Sequence, residues 1–333
     1  MRKLIPVYIL LLMLVAFYFY QVKDGLTVNS TTNRERLQGA SKDEYVMVTF
    51  QAGIDYWKKA LKGFEDAASE LNVSVVYRGG AQYDAHEQIT VLEQVIARKP
   101  AGIALSAINP TALNDTINKA IEAGIPVVLF DSDAPLSKAK AFLGTNNYAA
   151  GEKGAEQLAK LIKKQGQVAV ITLPDQLNHQ ERTKGFTDTM KSKYPNIQVI
   201  EVLNGEGDQL VSKKLAEELL KKYPDLQGIF ATEANGGVGV ADAATNLSKK
   251  ELKIVSFDVD KQILDYIDSG AISASLAQGT WNMGYWSLQF LFQQNQDSLL
   301  SGGQPHPLPD YVDTGISIAT KENLDKYYAE YSK

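Results

Sequence analysis

Planar polar side chains follow five of the short apolar runs in this sequence, at positions where a predicted strand ends. Asp131 follows PVVLF, Asp258 follows KIVSF and Gln278 follows ISASLA. The loops after VAVIT and GIFAT carry the remaining members of the set, which are Asn178, Gln180, Arg182, Glu233 and Asn235. Carboxylate, amide and guanidinium groups can each form two hydrogen bonds to adjacent hydroxyls. Each residue taken singly, Asp258 included, could be a helix cap, but five such strand ends are too regular for caps alone.

Two adjacent aromatic residues add an apolar surface to this polar set. Tyr56 and Trp57 lie where the loop after a strand that ends at Phe50 meets an amphipathic helix. In open α/β sheets, ligands bind in the crevice at the carboxyl ends of the strands, where this loop belongs. Trp57 could instead belong to the core and Tyr56 to a half-buried surface. Together with the polar groups, the aromatic faces suit the apolar C–H side of a pyranose or furanose ring, and they predict a sugar-binding cleft.

The elements that position these side chains alternate between short β-branched strands and amphipathic helices. In the first helix, apolar residues recur at helical spacing from Trp57 through Phe64 to Leu71. Such alternation requires parallel sheets with helices on both faces. About ten strands exceed the usual size of one sheet, and a weak strand near residue 143 interrupts the series. The predicted fold class is α/β, with two similar Rossmann-like lobes, parallel sheets and a ligand cleft between them. A long helix over residues 282–294 and a last strand over residues 311–318 complete the prediction.

Composition and motifs exclude several other kinds of site. The net charge of −5 argues against nucleic acid as a partner, because phosphate binding needs a basic face. The chain has no cysteine, which excludes disulfides, thiolate metal sites and cysteine nucleophiles. Its histidines, His86, His179 and His306, lie far apart and form no metal-binding pair. No glycine-rich nucleotide motif or nucleophile elbow is present, so we expect no cofactor, no metal and no enzyme activity.

The N-terminus predicts where the protein resides. Arg2 and Lys3 precede Leu4–Tyr20, a run without a charged residue. As a helix this run is about 26 Å long, close to the ~30 Å of a hydrocarbon core. It ends in aromatic residues and lacks a small-residue cleavage site, so residues 1–21 predict an uncleaved single-pass anchor with the folded part on the extracytoplasmic face. A cleaved signal peptide is the alternative, and the polar residues 22–43 predict a linker.

Seven segments of the chain are similar to one family of binding proteins. They are the aromatic pair with LKGF (61–64), VVLFDSD (127–133), GTNNYAAGEKGA (144–155), HQERTKGF (179–186), FATEANGGVG (230–239), IVSFDVD (254–260) and SLAQGTWNMG (275–284). Over about residues 45–333 the chain resembles the type I extracytoplasmic, or periplasmic, sugar-binding proteins of the ribose- and galactose-binding kind. The resemblance implies stacking on the sugar by Tyr56 and Trp57. The polar contacts that it implies come from Asp131, Arg182, Asp258 and Gln278, with Asn178 and Gln180 at variable contact positions.

The resemblance also implies how the chain divides and how it moves. Three crossovers, near Asn146, Gln278–Gly279 and Asp313–Thr314, would join the lobes, and closure around a ligand is the expected motion. The N-terminal lobe would comprise residues 44–146 plus 279–313, and the C-terminal lobe residues 147–278 plus 314–333. The chain departs from the ribose-binding pattern with Ser132 in place of arginine and Glu233 in place of asparagine or aspartate. Both departures change the hydrogen-bond set, so the identity of the sugar stays open.

The function that the resemblance implies is an extracytoplasmic, membrane-anchored receptor for a monosaccharide, either a pentose or a hexose. Because it lacks the lipidated cysteine common to transporter lipoproteins, the chain resembles the anchored receptors that signal to a sensor histidine kinase. The alternative partner is the permease of a sugar ABC transporter. The aromatic pair would also suit a nucleoside or a furanosyl signal molecule. A carbohydrate-active enzyme would need two of Asp131, Glu233 and Asp258 as acid and base. A sugar-responsive repressor would need a DNA-binding motif where this chain has its apolar N-terminal run.

Overall fold

The computed structural model of the chain describes residues 38–300 and 308–331. The predicted anchor and most of the predicted linker lie outside the described residues. Among the residues that are described, no helix is both long enough and apolar enough to cross a membrane. The fold reported below belongs to the compact unit that begins at Ala40.

Strands and helices alternate along the described residues. The strands are β1 (Glu44–Thr49), β2 (Ser74–Gly79), β3 (Gly102–Leu105), β4 (Val127–Phe130), β5 (Phe142–Gly144), β6 (Gly166–Thr172), β7 (Ile197–Asn204), β8 (Leu226–Ala231), β9 (Lys253–Phe257), β10 (Ala274–Gln278), β11 (Tyr311–Asp313) and β12 (Ile316–Ala319). The helices are α1 (Tyr56–Leu71), α2 (Ala85–Ala97), α3 (Asn114–Glu122), α4 (Asn147–Leu161), α5 (Leu177–Lys193), α6 (Gln209–Lys222), α7 (Ala234–Asn246), α8 (Lys261–Ser269), α9 (Thr280–Leu300) and α10 (Leu324–Tyr331). A short 3-10 helix, Lys321–Asn323, precedes α10.

The strands form two six-stranded sheets of matching order. Lobe 1 has the order β2-β1-β3-β4-β5-β11, and lobe 2 has the order β7-β6-β8-β9-β10-β12. The described strand pairs are parallel except for β10 with β12, which is antiparallel. Central strands such as β4 are buried on both faces, which explains their unbroken apolar sequence. The prediction of an α/β protein with two similar lobes is confirmed.

Helices cover both faces of each sheet and bury its apolar side chains. In lobe 1, Trp57 and Phe64 of α1 pack into the core beside β1, β3 and β4. In lobe 2 the core divides into two clusters, because alternate residues of a strand point to opposite faces of the sheet. Ile229 belongs to one cluster, and its neighbour Phe230 belongs to the other. This packing on both faces fixes the position of each sheet, and with it the positions of the residues at the strand ends.

The chain passes between the two sheets three times. From β5 it enters α4 through Thr145 and Asn146, and from β10 it returns through Gly279 to α9, which packs on α1. From β11 it passes through Thr314 and Gly315 to β12. The crossovers lie side by side, because the Gly279 amide donates to the carbonyl oxygen of Gly315 and the Thr314 amide donates to β5. Three short, adjacent crossovers form a hinge about which two lobes can rotate.

Close contacts between helix backbones recur at equivalent places in the two lobes. A Cβ atom on Gly63 of α1 would lie 2.1 Å from a carbonyl oxygen of α9, and one on Gly284 of α9 would lie 1.8 Å from a carbonyl oxygen of α1. In lobe 2, a Cβ on either Gly151 of α4 or Gly185 of α5 would lie 2.1 Å from a carbonyl oxygen of the other helix. These helices can approach so closely only because glycine occupies these positions. This close contact explains why the tripeptide Lys-Gly-Phe occurs in α1 (residues 62–64) and again in α5 (residues 184–186).

Two predicted elements differ from the structure. The single strand predicted over residues 311–318 is in fact two strands, β11 and β12, which belong to different sheets. The turn between them carries the chain from lobe 1 to lobe 2, and Gly315 takes the left-handed conformation there with a φ of +88°. The helix predicted over residues 282–294 begins earlier and ends later, as α9.

Candidate ligand-binding site

A cavity of about 320 Å³ lies between the lobes at the carboxyl ends of the central strands. Its volume is within the usual range of small-molecule sites. Lobe 1 contributes side chains that include Phe50, Ile54, Tyr56, Trp57, Tyr83 and Asp131. Lobe 2 and the hinge contribute side chains that include Gln176, Asn178, Arg182, Glu233, Asp258 and Gln278. Groups that are far apart in sequence meet here because the parallel strands of both lobes end at this cleft.

Two aspartates that line the cavity follow β4 and β9 in left-handed backbone conformations. Asp131 has a φ of +61° and Asp258 a φ of +66°, and both are largely buried. Residues other than glycine seldom adopt this conformation, and its presence at a cavity wall is typical of functional sites. The suggestion that Asp258 caps a helix is wrong. The N-cap of α8 is Asp260, whose carboxylate accepts a hydrogen bond from the Ile263 amide at 2.9 Å.

Tyr56 contributes its hydroxyl group to the polar centre of the cavity. The hydroxyl donates to Oδ1 of Asp131 and accepts a hydrogen bond from Nε2 of Gln278 at 3.1 Å. Ser106 donates to the other carboxylate oxygen of Asp131 at 3.1 Å. Burial and the nearby carboxylates raise the pKa of Tyr56 well above its usual value, so the phenol stays protonated. Tyr56 therefore links the strand-end carboxylate of lobe 1 to the hinge.

Trp57 lies in the core of lobe 1 and forms part of the cavity wall. Only 2% of the residue is exposed, and its Nε1 donates to the carbonyl oxygen of Phe50 at 2.9 Å. Its ring makes edge-to-face contacts with Phe50, Tyr56 and Phe130 at centroid distances of 5.2, 4.8 and 6.0 Å. This placement agrees with the alternative that Trp57 is a core residue. Stacking of Trp57 on a sugar stays a prediction.

Arg182 is the buried cation of the site, with 2% of the residue exposed. Its guanidinium donates to Oδ1 of Asn147 at 2.9 Å, to the Thr232 carbonyl oxygen at 2.8 Å and to Oε1 of Gln278 at 2.8 Å. It also lies 3.9 Å from the centre of the Phe257 ring. Three hydrogen bonds and a ring contact hold the planar group in one orientation beside the cavity. Asn147 belongs to α4, so the close packing of α4 on α5 contributes to this orientation.

Gln278 forms hydrogen bonds with both lobes from its place at the end of β10. Its Oε1 accepts from Arg182 and, at 2.8 Å, from Oγ1 of Thr145. Its Nε2 donates to Oδ1 of Asp258 at 2.8 Å and to the Tyr56 hydroxyl. All four hydrogen-bonding positions of the amide are thus occupied by protein groups. Because the next residue is a hinge crossover, Gln278 ties the polar centre of the cavity to the hinge.

Of the remaining predicted site residues, Asn178 and Glu233 line the cavity and Gln180 does not. Asn178 is buried and lines the cavity, four residues before Arg182 on the same face of α5. Gln180 is exposed, its Nε2 donates to the Pro174 carbonyl oxygen at 2.7 Å, and it is not among the cavity-lining residues. The reason is helical geometry, since residues two apart lie on nearly opposite faces. Glu233 lines the cavity and is also the N-cap of α7, where its carboxylate accepts two backbone amides.

Burial shifts the titration of the cavity's ionisable groups. It raises the pKa of Asp258 to about 7 and that of Glu233 to about 7, although Arg182 opposes the shift in both cases. Burial raises the pKa of Asp131 as well. The pKa of His179 lies well below its usual value because of burial and the positive charge of Arg182, so this imidazole is neutral at pH 7. The cavity therefore offers neutral and charged hydrogen-bonding groups around one fixed cation.

Several residues that position the site were not predicted from the sequence. Asn147, Thr145 and Ser106 hold Arg182, Gln278 and Asp131 in place through single hydrogen bonds. Two further unpredicted residues, Tyr83 and Gln176, line the cavity itself. The only sequence signal for Gln176 is its place in the loop after β6, and Thr145 and Asn147 lie within the motif GTNNYAAGEKGA.

Several known proteins with a similar sequence or structure are named as sugar-binding proteins. The profile of the family described as the periplasmic binding protein domain matches residues 45–297. The chain is 29% identical over 221 residues to the ribose import binding protein of Bacillus subtilis, covering 65% of this chain and 70% of the relative. Membership of this family implies an extracytoplasmic location, and the names of the relatives describe binding and import, in agreement with the prediction that the chain is not an enzyme.

Solved structures give higher identities. A sugar-binding protein of a sugar ABC transporter from Bacillus halodurans is 61% identical with a TM-score of 0.79, covering 86% of this chain and 100% of that one. AraP, an arabinose binding protein from Geobacillus stearothermophilus, is 65% identical with a TM-score of 0.78, covering 86% of this chain and 99% of that one. The fold, the inter-lobe cavity and these similarities together show that the chain belongs to the periplasmic binding protein family, as a type I sugar-binding member.

Proposed function

We propose that this chain is a receptor for a pentose, arabinose in first place, and that its lobes close around the sugar. The observation that carries the proposal is the convergence of Asp131, Arg182, Asp258 and Gln278 on one cavity between the lobes. Carboxylates accept hydrogen bonds from sugar hydroxyls, and the guanidinium can donate its remaining N–H groups to sugar oxygens, while Gln278 holds Tyr56, Arg182 and Asp258 in place. The two lobes supply these groups from opposite sides, so a sugar that contacts both sets stabilises the closed form.

The choice of arabinose is supported by similarity and by the charges of the cavity. AraP, with 65% identity to this chain, is named as an arabinose binding protein. The cavity is lined by several carboxylates, which are Asp55, Asp131, Glu233, Asp258 and Asp260. Arg182 is the single arginine or lysine among the described lining residues. An anionic sugar acid or sugar phosphate would meet this excess of carboxylates, whereas a neutral pentose would not.

The proposed membrane partner is the permease of a sugar ABC transporter. The relative from Bacillus halodurans is described as part of such a transporter, and the one from Bacillus subtilis is named for import. A sensor histidine kinase is the second candidate. The observation that favours it is the uncharged run Leu4–Tyr20 in a chain without cysteine, because an uncleaved anchor would hold the receptor at high effective concentration beside a membrane partner.

A thermal-shift screen of the full chain tests the ligand. The panel contains pentoses, hexoses, nucleosides and the sugar acid arabinonate, with Asp131→Asn as the matched variant. A sugar present at a hundred times its dissociation constant should stabilise the folded protein by about 2.7 kcal/mol. We expect this shift with arabinose, a smaller one in the variant and none with arabinonate. Stabilisation by nucleosides alone, or by no compound on the panel, would contradict the proposal.

A gene deletion separates the two partners. Loss of the receptor should abolish uptake of labelled arabinose at low concentration if the partner is a permease. Loss of arabinose-induced transcription with uptake intact would instead identify a sensor kinase as the partner. A variant chain that lacks residues 1–21 and carries a cleavable export signal tests the anchor, because only a partner that depends on a tethered receptor should lose its response.

A further inference from the structure

One side chain in the wall of the cavity has a hydrogen-bonding group without a partner. Gln176 is only 2% exposed and lines the cavity from lobe 2. Its amide nitrogen Nε2 is buried and has no hydrogen-bond partner among the described residues. A buried donor without an acceptor lowers the stability of a folded protein, because it gives up water and gains nothing in return. Such a group calls for a specific explanation.

The unpaired amide of Gln176 has no role in the local backbone structure. Gln176 is the N-cap residue of α5, yet its side chain makes no capping hydrogen bond, unlike Glu233 at the N-cap of α7. Its backbone is satisfied, since its amide donates to the Leu173 carbonyl oxygen and its own carbonyl oxygen accepts from the Gln180 amide. Only the terminal amide remains, and it belongs to a residue of the cavity wall.

Tyr83 of lobe 1 is a polar residue of the same cavity wall that interacts with Gln176. The Gln176 amide lies close enough to lower the pKa of the Tyr83 phenol, against the larger effects of burial and Asp175. The phenol itself donates to the Ile108 carbonyl oxygen at 3.5 Å, the limit of a hydrogen bond. The two side chains therefore stand near each other from opposite lobes, but Nε2 of Gln176 does not meet the geometry of a hydrogen bond to the phenol.

Other buried atoms without partners lie elsewhere in the described part of the chain. They belong to Asn114, Ser132, Ser212, Gln294 and Thr314. None of these residues lines the cavity between the lobes. Among the described residues, Gln176 is thus the one that both lines the cavity and carries a buried side-chain atom without a hydrogen-bond partner.

We propose that Gln176 is a further sugar-contacting residue, whose Nε2 donates a hydrogen bond to a hydroxyl or ring oxygen of the bound pentose. The proposal rests on the proposed function of the cavity. It adds a neutral donor from lobe 2 to the carboxylates and the guanidinium already described. Because Nε2 can only donate, it discriminates against any sugar that lacks an acceptor oxygen at that place.

Gln180 provides a matched control on the same helix. It has the same side chain four residues later, but it is exposed, it bonds to the Pro174 carbonyl oxygen and it lies outside the cavity. Gln176→Leu removes the unpaired donor with little change in volume, and Gln180→Leu makes the same chemical change outside the cavity. The pair therefore separates an effect on the ligand from a general effect of losing a glutamine from α5.

Calorimetric titration of the full-length variants with arabinose gives the first measurement. We expect the Kd of Gln176→Leu to rise about three- to tenfold, the loss that corresponds to one neutral hydrogen bond, and the Kd of Gln180→Leu to stay within about twofold of the wild type. Titration with deoxyarabinoses then identifies the oxygen. For the analogue that lacks the contacted oxygen, Gln176→Leu and wild type should bind equally well.

Thermal unfolding without sugar gives the second measurement, which does not depend on the identity of the ligand. We expect Gln176→Leu to leave the Tm unchanged or to raise it, because it removes a desolvated donor that forms no hydrogen bond to a protein group. A lowered Tm would show that the amide has a structural partner and would overturn the assignment. Equal Kd values for Gln176→Leu and wild type with every sugar that binds would overturn it as well. Failure of the wild type to bind any monosaccharide would instead refute the proposed function, while the Tm comparison still decides the role of the amide.

Discussion

Asp131 and Asp258 occupy equivalent positions in the two lobes and share one unusual backbone conformation. Each follows the fourth strand in the order of its sheet, and each has a φ in the left-handed region, at +61° and +66°. They lie close enough across the cavity for Asp131 to raise the pKa of Asp258. Two lobes of one architecture thus present matching carboxylates to the same small volume, with Arg182 and Gln278 beside them.

Substitution of Asp258 should separate its role in binding from its role in the turn. Asparagine at this position would keep the shape of the side chain and tolerate the left-handed conformation, so Asp258→Asn should leave the stability without sugar nearly unchanged at about pH 4, where the buried carboxyl of the wild type is protonated. It should weaken sugar binding about 10- to 100-fold, because a hydrogen bond to a charged acceptor is lost. Calorimetric titration and denaturant unfolding measure the two effects.

Asp258→Ala is the contrasting variant for the same position. Alanine has no polar group to support a positive φ, so this variant should lose about 1–2 kcal/mol of unfolding free energy in addition to sugar affinity. Equal stability of the alanine and asparagine variants would contradict the view that the turn is strained.

The stability of the sugar-free protein should fall as the pH rises towards neutrality. The pKa values of Asp258 and Glu233 are raised to about 7 in the folded protein, from ordinary values near 4. The folded state therefore binds more protons than the unfolded state between about pH 4 and pH 7, and its stability decreases across that window as the buried carboxyls ionise. For a single carboxyl group, the decrease is at most about 1.4 kcal/mol of unfolding free energy for each rise of one in pH.

Denaturant unfolding at a series of pH values measures this dependence. Asp258→Asn removes one of the buried carboxyl groups whose pKa is raised, so its stability should decline less between about pH 4 and pH 7 than that of the wild type. Surface carboxylates such as Asp188, whose pKa is lowered by Lys184, act in the opposite direction and are common to both proteins. Identical slopes for the two proteins would refute the assignment to Asp258.

The glycines between α4 and α5 should be intolerant of a single added methyl group. A Cβ on Gly151 would lie 2.1 Å from the carbonyl oxygen of Arg182, so Gly151→Ala must push the two helices apart. We expect a loss of about 1–3 kcal/mol or more in unfolding free energy, as for other overpacked sites, together with weaker sugar binding because Arg182 is displaced. Gly53→Ala is the control, since a Cβ there meets no atom within 4 Å. Comparable losses in both variants would show that helix contact is not the cause.

A methyl group added at Gly279 should change the geometry of the hinge. A Cβ there would lie 2.1 Å from the carbonyl oxygen of Thr314, in the neighbouring crossover. Gly279→Ala should separate two of the three crossovers and change the balance between open and closed forms. Small-angle X-ray scattering with and without arabinose measures this balance through the radius of gyration. A variant with the same compaction on sugar binding as the wild type, and the same Kd, would show that this crossover does not control closure.

The sequence alone determined the fold class and most members of the candidate site. Alternating β-branched and amphipathic segments require parallel sheets, and in parallel sheets the residues that follow the strands meet at one edge. This rule located Asp131, Arg182, Glu233, Asp258 and Gln278, which all line the cavity. It worked because strand ends are specified by local pattern and need no knowledge of side-chain packing.

Only the tertiary structure decided what each of these side chains does. The sequence could not distinguish Trp57 in the core from Trp57 on the ligand, because the difference depends on how deeply the first helix packs against its sheet. It could not separate Gln180, on the outer face of α5, from Asn178 in the cavity. The residue at which a helix begins cannot be fixed from sequence to better than one or two positions, so the sequence did not show that both residues already belong to the helix. It gave no sign of the unpaired amide of Gln176. That property arises from the whole set of groups surrounding a side chain, and those groups come from distant parts of the sequence in both lobes.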